Sequence, residues 1–257
     1  MLISDDSSVQ ENHVRHDKKK DKLALFKHTF TTMTVVGCWQ PLSWLSPIKY
    51  KLYSIYTLFL TLMLLIFAIS QFMIIVLNAA NPEDFTSVLY MMTAMCMGIF
   101  KISNMWLNRK NYADIINTLI DEPFRPVIAD EIKIRQNFDR MIWNNTLFCL
   151  VLVGSTCGII VLTSLFTNFR TGELTYKAWL PFNYSSPALF FFVYTHQLIS
   201  IITGALVNLA CDCFICGLLL HICCQIEILD YRLNKSHTWE NLRNCVRHHD
   251  LIFKLVS

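Results

Sequence analysis

The chain has 257 residues, of which 54% are hydrophobic and 16% are charged, and its formal net charge is +3 at pH 7. Soluble domains carry about 25% charged residues, so this composition is typical of a membrane protein and argues against a soluble enzyme. The small positive charge comes from the segments between the apolar runs, and it therefore does not indicate a nucleic-acid partner.

The N-terminal part is polar, with a lysine cluster at residues 18–22. Such a composition cannot bury enough apolar surface to order a chain, which predicts a disordered cytosolic tail over residues 1–30. We expect residues 31–257 to form the membrane domain. The first apolar run starts about 50 residues in and is too long for the core of a cleavable signal, so we expect it to act as an uncleaved anchor.

Four long apolar runs follow, at residues 52–77, 85–107, 141–166 and 187–226. A helix needs about 20 apolar residues to cross the hydrocarbon core, and lipid leaves no hydrogen-bond partner for an open strand edge. The alternating ten-residue segments of a membrane barrel do not occur. The sequence therefore predicts an all-α polytopic bundle of four complete membrane helices, followed by the start of a fifth at about 240–257.

Lysine and arginine residues alternate between the two sides of these runs. There are eight in residues 1–51, none in 78–84, six in 108–140, two in 167–186 and five after residue 226. Cytosolic loops carry the excess of positive charge. The pattern predicts a multi-pass plasma-membrane protein with its N-terminus in the cytosol.

The positions of the ten cysteines are not those of a disulfide framework. Cys38 and Cys245 are cytosolic in the predicted topology, and the other eight lie within the apolar runs. Structural disulfides need an oxidising compartment, so we expect none. Cys211, Cys213 and Cys216 have ligand chemistry, but zinc ligands usually pair on turns, and a packing role on the helix is the better interpretation.

No reaction centre is visible in the sequence. There is no glycine-rich phosphate loop and no nucleophile paired with a base, and the ligand-type segment 248–250 has no second half elsewhere in the chain. We therefore predict neither an enzyme nor a cofactor nor a metal site. A glycosylation sequon at Asn183 lies on the predicted outer side, close to the membrane, and its occupancy is left open.

The fourth run is 40 residues long, about twice what a single crossing needs. At 1.5 Å per residue, a helix entering at the start of the run reaches the inner surface near Val207, so Asp212 lies at or beyond that boundary. The remaining apolar stretch, 214–226, would project into the cytosol and need a protein cover. The alternatives are a strongly tilted helix or a re-entrant break at Gly204 or Gly217.

The outer halves of the second, third and fourth runs mix aromatic and methionine side chains with small and hydroxyl residues. Small residues open space between membrane helices, and methionine adapts to irregular apolar shapes, which suits a pocket for a small apolar ligand. Helix packing and lipid contact are the alternative roles for these positions. The candidate ligand-binding residues are Tyr90, Met91, Ala94, Met95, Ser155, Gly158, Ile159, Tyr194, Gln197 and Ser200.

Several segments resemble the insect odorant receptor family. Residues 177–183 resemble the aromatic-Pro-Phe-Asp segment before the fourth helix of that family, with Asn183 where the family more often has aspartate. Residues 207–212 and 217–222 match its fourth helix, and residues 242–249 resemble the opening of its fifth. The resemblance runs from about residue 30 to the end of the chain.

The resemblance implies a seven-helix tuning subunit with a cytosolic N-terminus, which assembles with an odorant co-receptor subunit into an odorant-gated cation channel. It also implies an odorant pocket between the outer halves of the second, third, fourth and sixth helices, and a subunit contact at the cytosolic helix ends. The expected partners are the co-receptor, a small apolar odorant and the lipid bilayer, with no nucleic acid. Since the chain stops where a fifth helix begins, we expect it to be C-terminally incomplete.

Two other classes of protein are compatible with the same sequence features. A gustatory receptor would share the architecture, and a small four-helix membrane transporter or scaffold would need no further helices. A G-protein-coupled receptor is disfavoured because it needs an N-terminus outside the cell.

Overall fold

The computed structural model of the protein describes residues 27–40, 46–77, 82–183, 186–236 and 238–256. Most of the predicted disordered tail, up to residue 26, lies outside the described residues, as do positions 184 and 185 of the sequon.

Every regular element in the described part of the chain is a helix. In chain order the helices are α1 (Lys27–Val35), α2 (Pro47–Leu77), α3 (Pro82–Leu107), α4 (Arg109–Thr118), α5 (Ala129–Phe166), α6 (Asn168–Thr171), α7 (Pro187–Asn234) and α8 (Trp239–Val256). Four helical stretches are long and apolar enough to cross a membrane, namely Pro47–Leu77, Phe85–Leu107, Ala129–Thr171 and Pro187–Asn234. The predicted all-α architecture with four membrane helices is confirmed.

Helices α2 and α5 begin before the predicted apolar runs, in segments that favour a helix N-terminus. Helix α2 begins at Pro47, a residue pre-organised for the first helical position. Helix α5 begins at Ala129, with Asp130 and Glu131 in its first turn, where negative charge favours the helix dipole. The Val127 N–H donates to Glu131 Oε2 at 2.8 Å and closes that end. Helix α5 therefore starts well before the predicted residue 141.

Helix α7 is continuous over 48 residues and passes through Gly204 and Gly217 without a break. At 1.5 Å per residue it is about 72 Å long, more than twice the hydrocarbon thickness of about 30 Å. A tilt of 40° lengthens the crossing only to about 39 Å. Neither a re-entrant break nor tilt therefore accounts for its length, and part of α7 must extend beyond the bilayer.

The chain divides into two compact units. We call residues 31–107 and 147–212 the span unit, because they contain most of the apolar helix length. We call residues 1–30, 108–146 and 213–257, where described, the extension unit.

In the extension unit, α8 has a buried face and an exposed apolar face. Its residues Cys245, His248 and Ile252 are buried, whereas Trp239, Val246 and Phe253 are exposed. The His248 imidazole meets the ring of Phe124 edge to face at 5.1 Å. Phe214, fully buried, packs against the rings of Phe30 and Tyr112.

In the span unit, the turn after α1 is fixed by side chains of α2 and α3. Gly37 has φ of +80°, a conformation that side-chain-bearing residues rarely adopt. Its carbonyl accepts hydrogen bonds from Thr57 Oγ1 at 3.0 Å and from Trp106 Nε1 at 3.3 Å. The Tyr53 hydroxyl donates to the Trp39 carbonyl at 3.0 Å.

Candidate ligand site in the span unit

Helix α7 carries a buried polar stripe. Tyr194, Gln197 and Ser200 are all buried, and their spacing of three residues places them on one side of a helix. The Tyr194 and Ser164 hydroxyls are 2.7 Å apart, and the Tyr194 ring stacks on Phe190 with centroids 5.7 Å apart. The outer part of α7 is thus tied to α5 by a polar contact inside an aromatic cluster.

Gln197 binds the backbone of the segment between α6 and α7. Its Nε2 donates to the Tyr176 carbonyl at 3.0 Å, and its Oε1 accepts from the Tyr176 N–H at 3.3 Å. One amide side chain therefore satisfies both backbone groups of Tyr176, as a neighbouring strand would. This fixes Tyr176 against the polar stripe of α7.

The rest of that segment is held by α2 and α5. Gln71 Nε2 donates to the Lys177 carbonyl at 2.8 Å, and Ser70 Oγ donates to the Trp179 carbonyl at 3.0 Å. The Thr175 hydroxyl is 2.6 Å from Ser164 Oγ. The segment that the sequence places in an outer loop therefore folds onto the helices of the span unit.

The Tyr176 side chain lies near residues of α3 and α5. Burial raises the pKa of its phenol, and the neighbouring Tyr90 hydroxyl and Cys157 thiol add to that rise. Tyr90 belongs to α3 and Cys157 to α5. Sequence reasoning missed Tyr176, because only the fold of the loop brings it to the site.

Helix α3 meets α7 near Ala94 and Met95. Met91 and Met95 are buried, and Ala94 is half-buried, with its carbonyl accepting from Asn208 Nδ2 at 3.1 Å. A Cβ atom at Gly204 would lie 2.7 Å from Met95 Sδ, so the absent side chain of Gly204 lets the two helices approach. In contrast, the Tyr90 side chain is 74% exposed.

The three candidates on α5 lie on an open surface. Ser155 and Gly158 are exposed, and Ile159 is 63% exposed. Ser155 Oγ donates within its own helix, to the Leu152 carbonyl at 2.9 Å. A Cβ atom at Gly158 would meet no described atom within 4 Å. The structure thus buries Met91 and Met95 of α3 and the three candidates of α7, and it leaves Tyr90 and the α5 candidates exposed.

Two polar atoms near this stripe lack a hydrogen-bond partner among the described residues. They are Ser200 Oγ and His196 Nε2, and both are buried. An unmet buried polar group costs about 1–3 kcal/mol. Each of these two atoms has the capacity for one further hydrogen bond.

A charged pair lies at the other end of the α3–α7 contact. Lys101 Nζ is 2.7 Å from Asp212 Oδ1 and also donates to the Asn208 carbonyl at 3.5 Å. Pairing lowers the cost of two ionisable groups on apolar helices. The sequence placed Asp212 at or beyond the inner boundary but did not indicate that it pairs with Lys101.

No cluster of three or more potential metal ligands occurs in the parts of the chain that the structure describes. Four membrane-length helices with a small buried polar stripe define a polytopic α-helical membrane protein with a candidate small-ligand site. The model of the 7tm Odorant receptor family matches residues 81–257, more than two thirds of the sequence. The chain belongs to this family, as the resemblance indicated, and this is a receptor family rather than a known enzyme class.

Solved structures share the fold. The insect olfactory receptor OR5 from Machilis hrabei aligns with a TM-score of 0.71 at 14% identity, over 90% of this chain and 62% of that one. The same receptor in complex with eugenol aligns with a TM-score of 0.65 at 14% identity, over 95% of this chain and 64% of that one. The chain thus spans less than two thirds of the length of these structures. No curated protein matches it.

Proposed function

We propose that the chain is an odorant receptor tuning subunit, or part of one, in a heteromeric odorant-gated cation channel of the plasma membrane, with its N-terminus in the cytosol. The observation that carries the proposal comes from a chain of the odorant receptor family. Helix α7 has a buried polar stripe, and Met95 of α3, also buried, lies against Gly204 of the same helix. The gustatory and transporter alternatives have no comparable observation in their favour.

The proposed ligand is a small, mostly apolar volatile with one polar atom. Met91 and Met95 supply adaptable apolar surface, and Ser200 supplies a buried hydroxyl without a described partner. Tyr90, Ala94, Ser155, Gly158 and Ile159 complete the proposed site on α3 and α5, with Tyr194 and Gln197 on α7. Binding favours the open state to the extent that the ligand binds that state more tightly.

The proposed co-receptor partner is supported by the extension unit. Trp239, Val246 and Phe253 are exposed on one face of α8, and exposed apolar faces of this kind mark interaction surfaces. A second subunit would cover this face.

The site is tested in cells that express the receptor carrying this chain together with a co-receptor subunit. Tyr90→Ala removes an aromatic contact and Ser155→Phe fills the open face of α5. We expect each to shift the half-maximal odorant concentration about tenfold, the range for losing or blocking one apolar contact, with surface expression unchanged. Odorant-evoked current is the measurement.

Matched controls are Phe100→Ala on α3 and Leu152→Phe on α5, which are exposed residues outside the candidate set. We expect them to leave the dose-response curve in place. Equal responses of Tyr90→Ala, Ser155→Phe and the unmodified receptor across an odorant panel would remove the site assignment, and a properly expressed receptor without any odorant response would remove the function.

A further inference from the structure

Two buried cysteines of the span unit lie side by side. Cys38 Sγ and Cys211 Sγ are 3.8 Å apart, and the two residues are 3% and 2% exposed. The ten cysteines all lie in the described part of the chain, and none of them forms a disulfide there. The two residues of this pair are 173 positions apart in the sequence, so only the tertiary fold brings them together.

Both sulfur atoms belong to well-anchored backbone. Cys38 directly follows Gly37, whose carbonyl is held by Thr57 and Trp106. Cys211 lies within α7 and directly precedes Asp212, which pairs with Lys101. The short separation of the two thiols is therefore built into the packing of the span unit.

We propose that Cys38 and Cys211 are an oxidative modification site, which a peroxide converts to a reversible disulfide. A disulfide has an S–S length of about 2.05 Å, so the sulfurs must approach by roughly 1.8 Å, a movement that side-chain rotation supplies in part. Hydrogen peroxide is small and uncharged, so it reaches buried thiols that bulkier reagents do not.

The reaction balances with one peroxide molecule per disulfide. The Cys211 sulfur attacks a peroxide oxygen, the O–O bond breaks, and water leaves with formation of a sulfenic acid. The Cys38 sulfur then attacks the sulfenic sulfur, the S–O bond breaks, and the second water takes up the Cys38 proton. The two thiols are oxidised by two electrons and the peroxide is reduced to two waters.

The order of these steps follows from the different acidities of the two thiols. The hydrogen bond with Cys211, together with burial, raises the pKa of the Cys38 thiol. Cys38 therefore remains protonated as the resolving thiol, and Cys211 is the group expected to react first.

The bond would connect the turn after α1 directly to α7. At present that turn is held by hydrogen bonds from α2 and α3. A disulfide would add a covalent link to α7, so any motion that separates the turn from α7 would be blocked until a thiol reductant restores the pair.

The test exposes the full chain in membranes to hydrogen peroxide, then denatures it, alkylates the remaining thiols and maps its peptides by mass spectrometry. We expect Cys38 and Cys211 to lose alkylation together and to appear in one cross-linked peptide pair that is two hydrogens lighter. Dithiothreitol should return both thiols. Before oxidation, N-ethylmaleimide should label exposed Cys216 and Cys223, which lie beyond the inner surface of the bilayer, and leave the pair unlabelled.

Cys38→Ser and Cys211→Ser should each abolish the cross-linked peptide, whereas Cys213→Ser, a matched control on the same helix, should retain it. The proposal is overturned if both thiols stay alkylatable at a peroxide dose that oxidises exposed Cys216. It is also overturned if Cys38 and Cys211 are oxidised separately to sulfinic or sulfonic acids in the unmodified chain. Both outcomes are read in the unmodified protein and do not depend on how the variants fold.

Discussion

Arg232 joins several segments of the extension unit through one planar side chain. Its Nε and NH2 groups donate to the two carboxylate oxygens of Glu131, at 2.8 and 2.9 Å. NH1 also donates to the Pro123 carbonyl at 2.7 Å and NH2 to the Arg125 carbonyl at 3.1 Å. A guanidinium is the only side chain with a fork of donors in this geometry.

His248 completes the surroundings of Arg232. Burial, followed by the neighbouring Arg232 charge, lowers the pKa of the His248 imidazole to about 4. The ring is therefore neutral at pH 7, and its Nδ1, 3.4 Å from Arg232 NH1, can act as an acceptor. Because the histidine is neutral, it does not repel the half-buried Arg232 cation beside it.

Arg232→Lys should therefore destabilise the protein markedly. A single ammonium cannot reach both Glu131 oxygens and both carbonyls, so polar groups that are now bonded lose their partner. We expect a loss of about 3 kcal/mol, the scale for breaking a buried ion pair, measured by thermal unfolding in detergent. Lys235→Ala, which breaks an ion pair between two largely exposed side chains, should lower the midpoint far less. Equal midpoints for Arg232→Lys and the unmodified protein would contradict the role given to Arg232.

At the scale of the helices, α3 and α7 approach closely at Gly204, which has no side chain. The Cβ position of Gly204 is already occupied by Met95 Sδ at 2.7 Å and approached by Leu64 Cδ2 at 3.5 Å. A larger residue at 204 must displace the methionine or separate the helices. The same substitution at Gly154 on α5 would meet no described atom within 4 Å.

Gly204→Leu is expected to cost about 1–3 kcal/mol, the range for overpacking a tight contact, whereas Gly154→Leu should be close to neutral. Thermal unfolding of both variants in the same detergent gives the comparison. Because the two substitutions add the same side chain to a membrane-length helix, general effects on insertion cancel. A Gly154→Leu variant as unstable as Gly204→Leu would show that helix contact at 204 is not the cause.

The existence of the helices could be predicted from the sequence, but their ends could not. Apolar runs longer than 20 residues leave no alternative to a membrane helix, and the family resemblance rested on segments within the fourth run and on both sides of it. The start of α5 at Ala129 was missed because its first turns are polar, and they are helical owing to Glu131, which closes the helix end and pairs with Arg232 more than 100 residues away.

The candidate site was also predictable only in part, because local composition identifies helix faces but not the contacts made by a loop. Aromatic, methionine and hydroxyl residues on apolar runs identify helix faces, and on α7 and α3 the residues Met91, Met95, Tyr194, Gln197 and Ser200 are buried. Tyr176 could not be found in this way, because its place beside Gln197 depends on how the loop folds back. A polar side chain in the middle of an apolar run, such as Gln197, was the available signal that something polar lies opposite.

For the whole molecule, the central expectation is its orientation in the membrane. Residues 1–51 carry eight Lys and Arg, whereas residues 78–84 carry none and residues 167–186 carry two. Such a difference in short flanking segments sets topology. The loop before α7 would then face the exterior, where a volatile ligand arrives, and the N-terminus would face the cytosol.

Two epitope tags on separate copies of the chain test this orientation. One is placed at Met1 and the other at Gly172, an exposed loop residue with open space around its Cβ position. Antibody should stain the Gly172 tag in intact cells and the Met1 tag only after permeabilisation, with equal staining of both afterwards. Staining of Met1 in intact cells would mean that the charge rule fails for this chain, and it would place the proposed odorant-facing loop in the cytosol. The proposed ligand site depends on this topology. A ligand from outside the cell can reach the polar stripe of α7 only if the loop that contains Tyr176 is also outside.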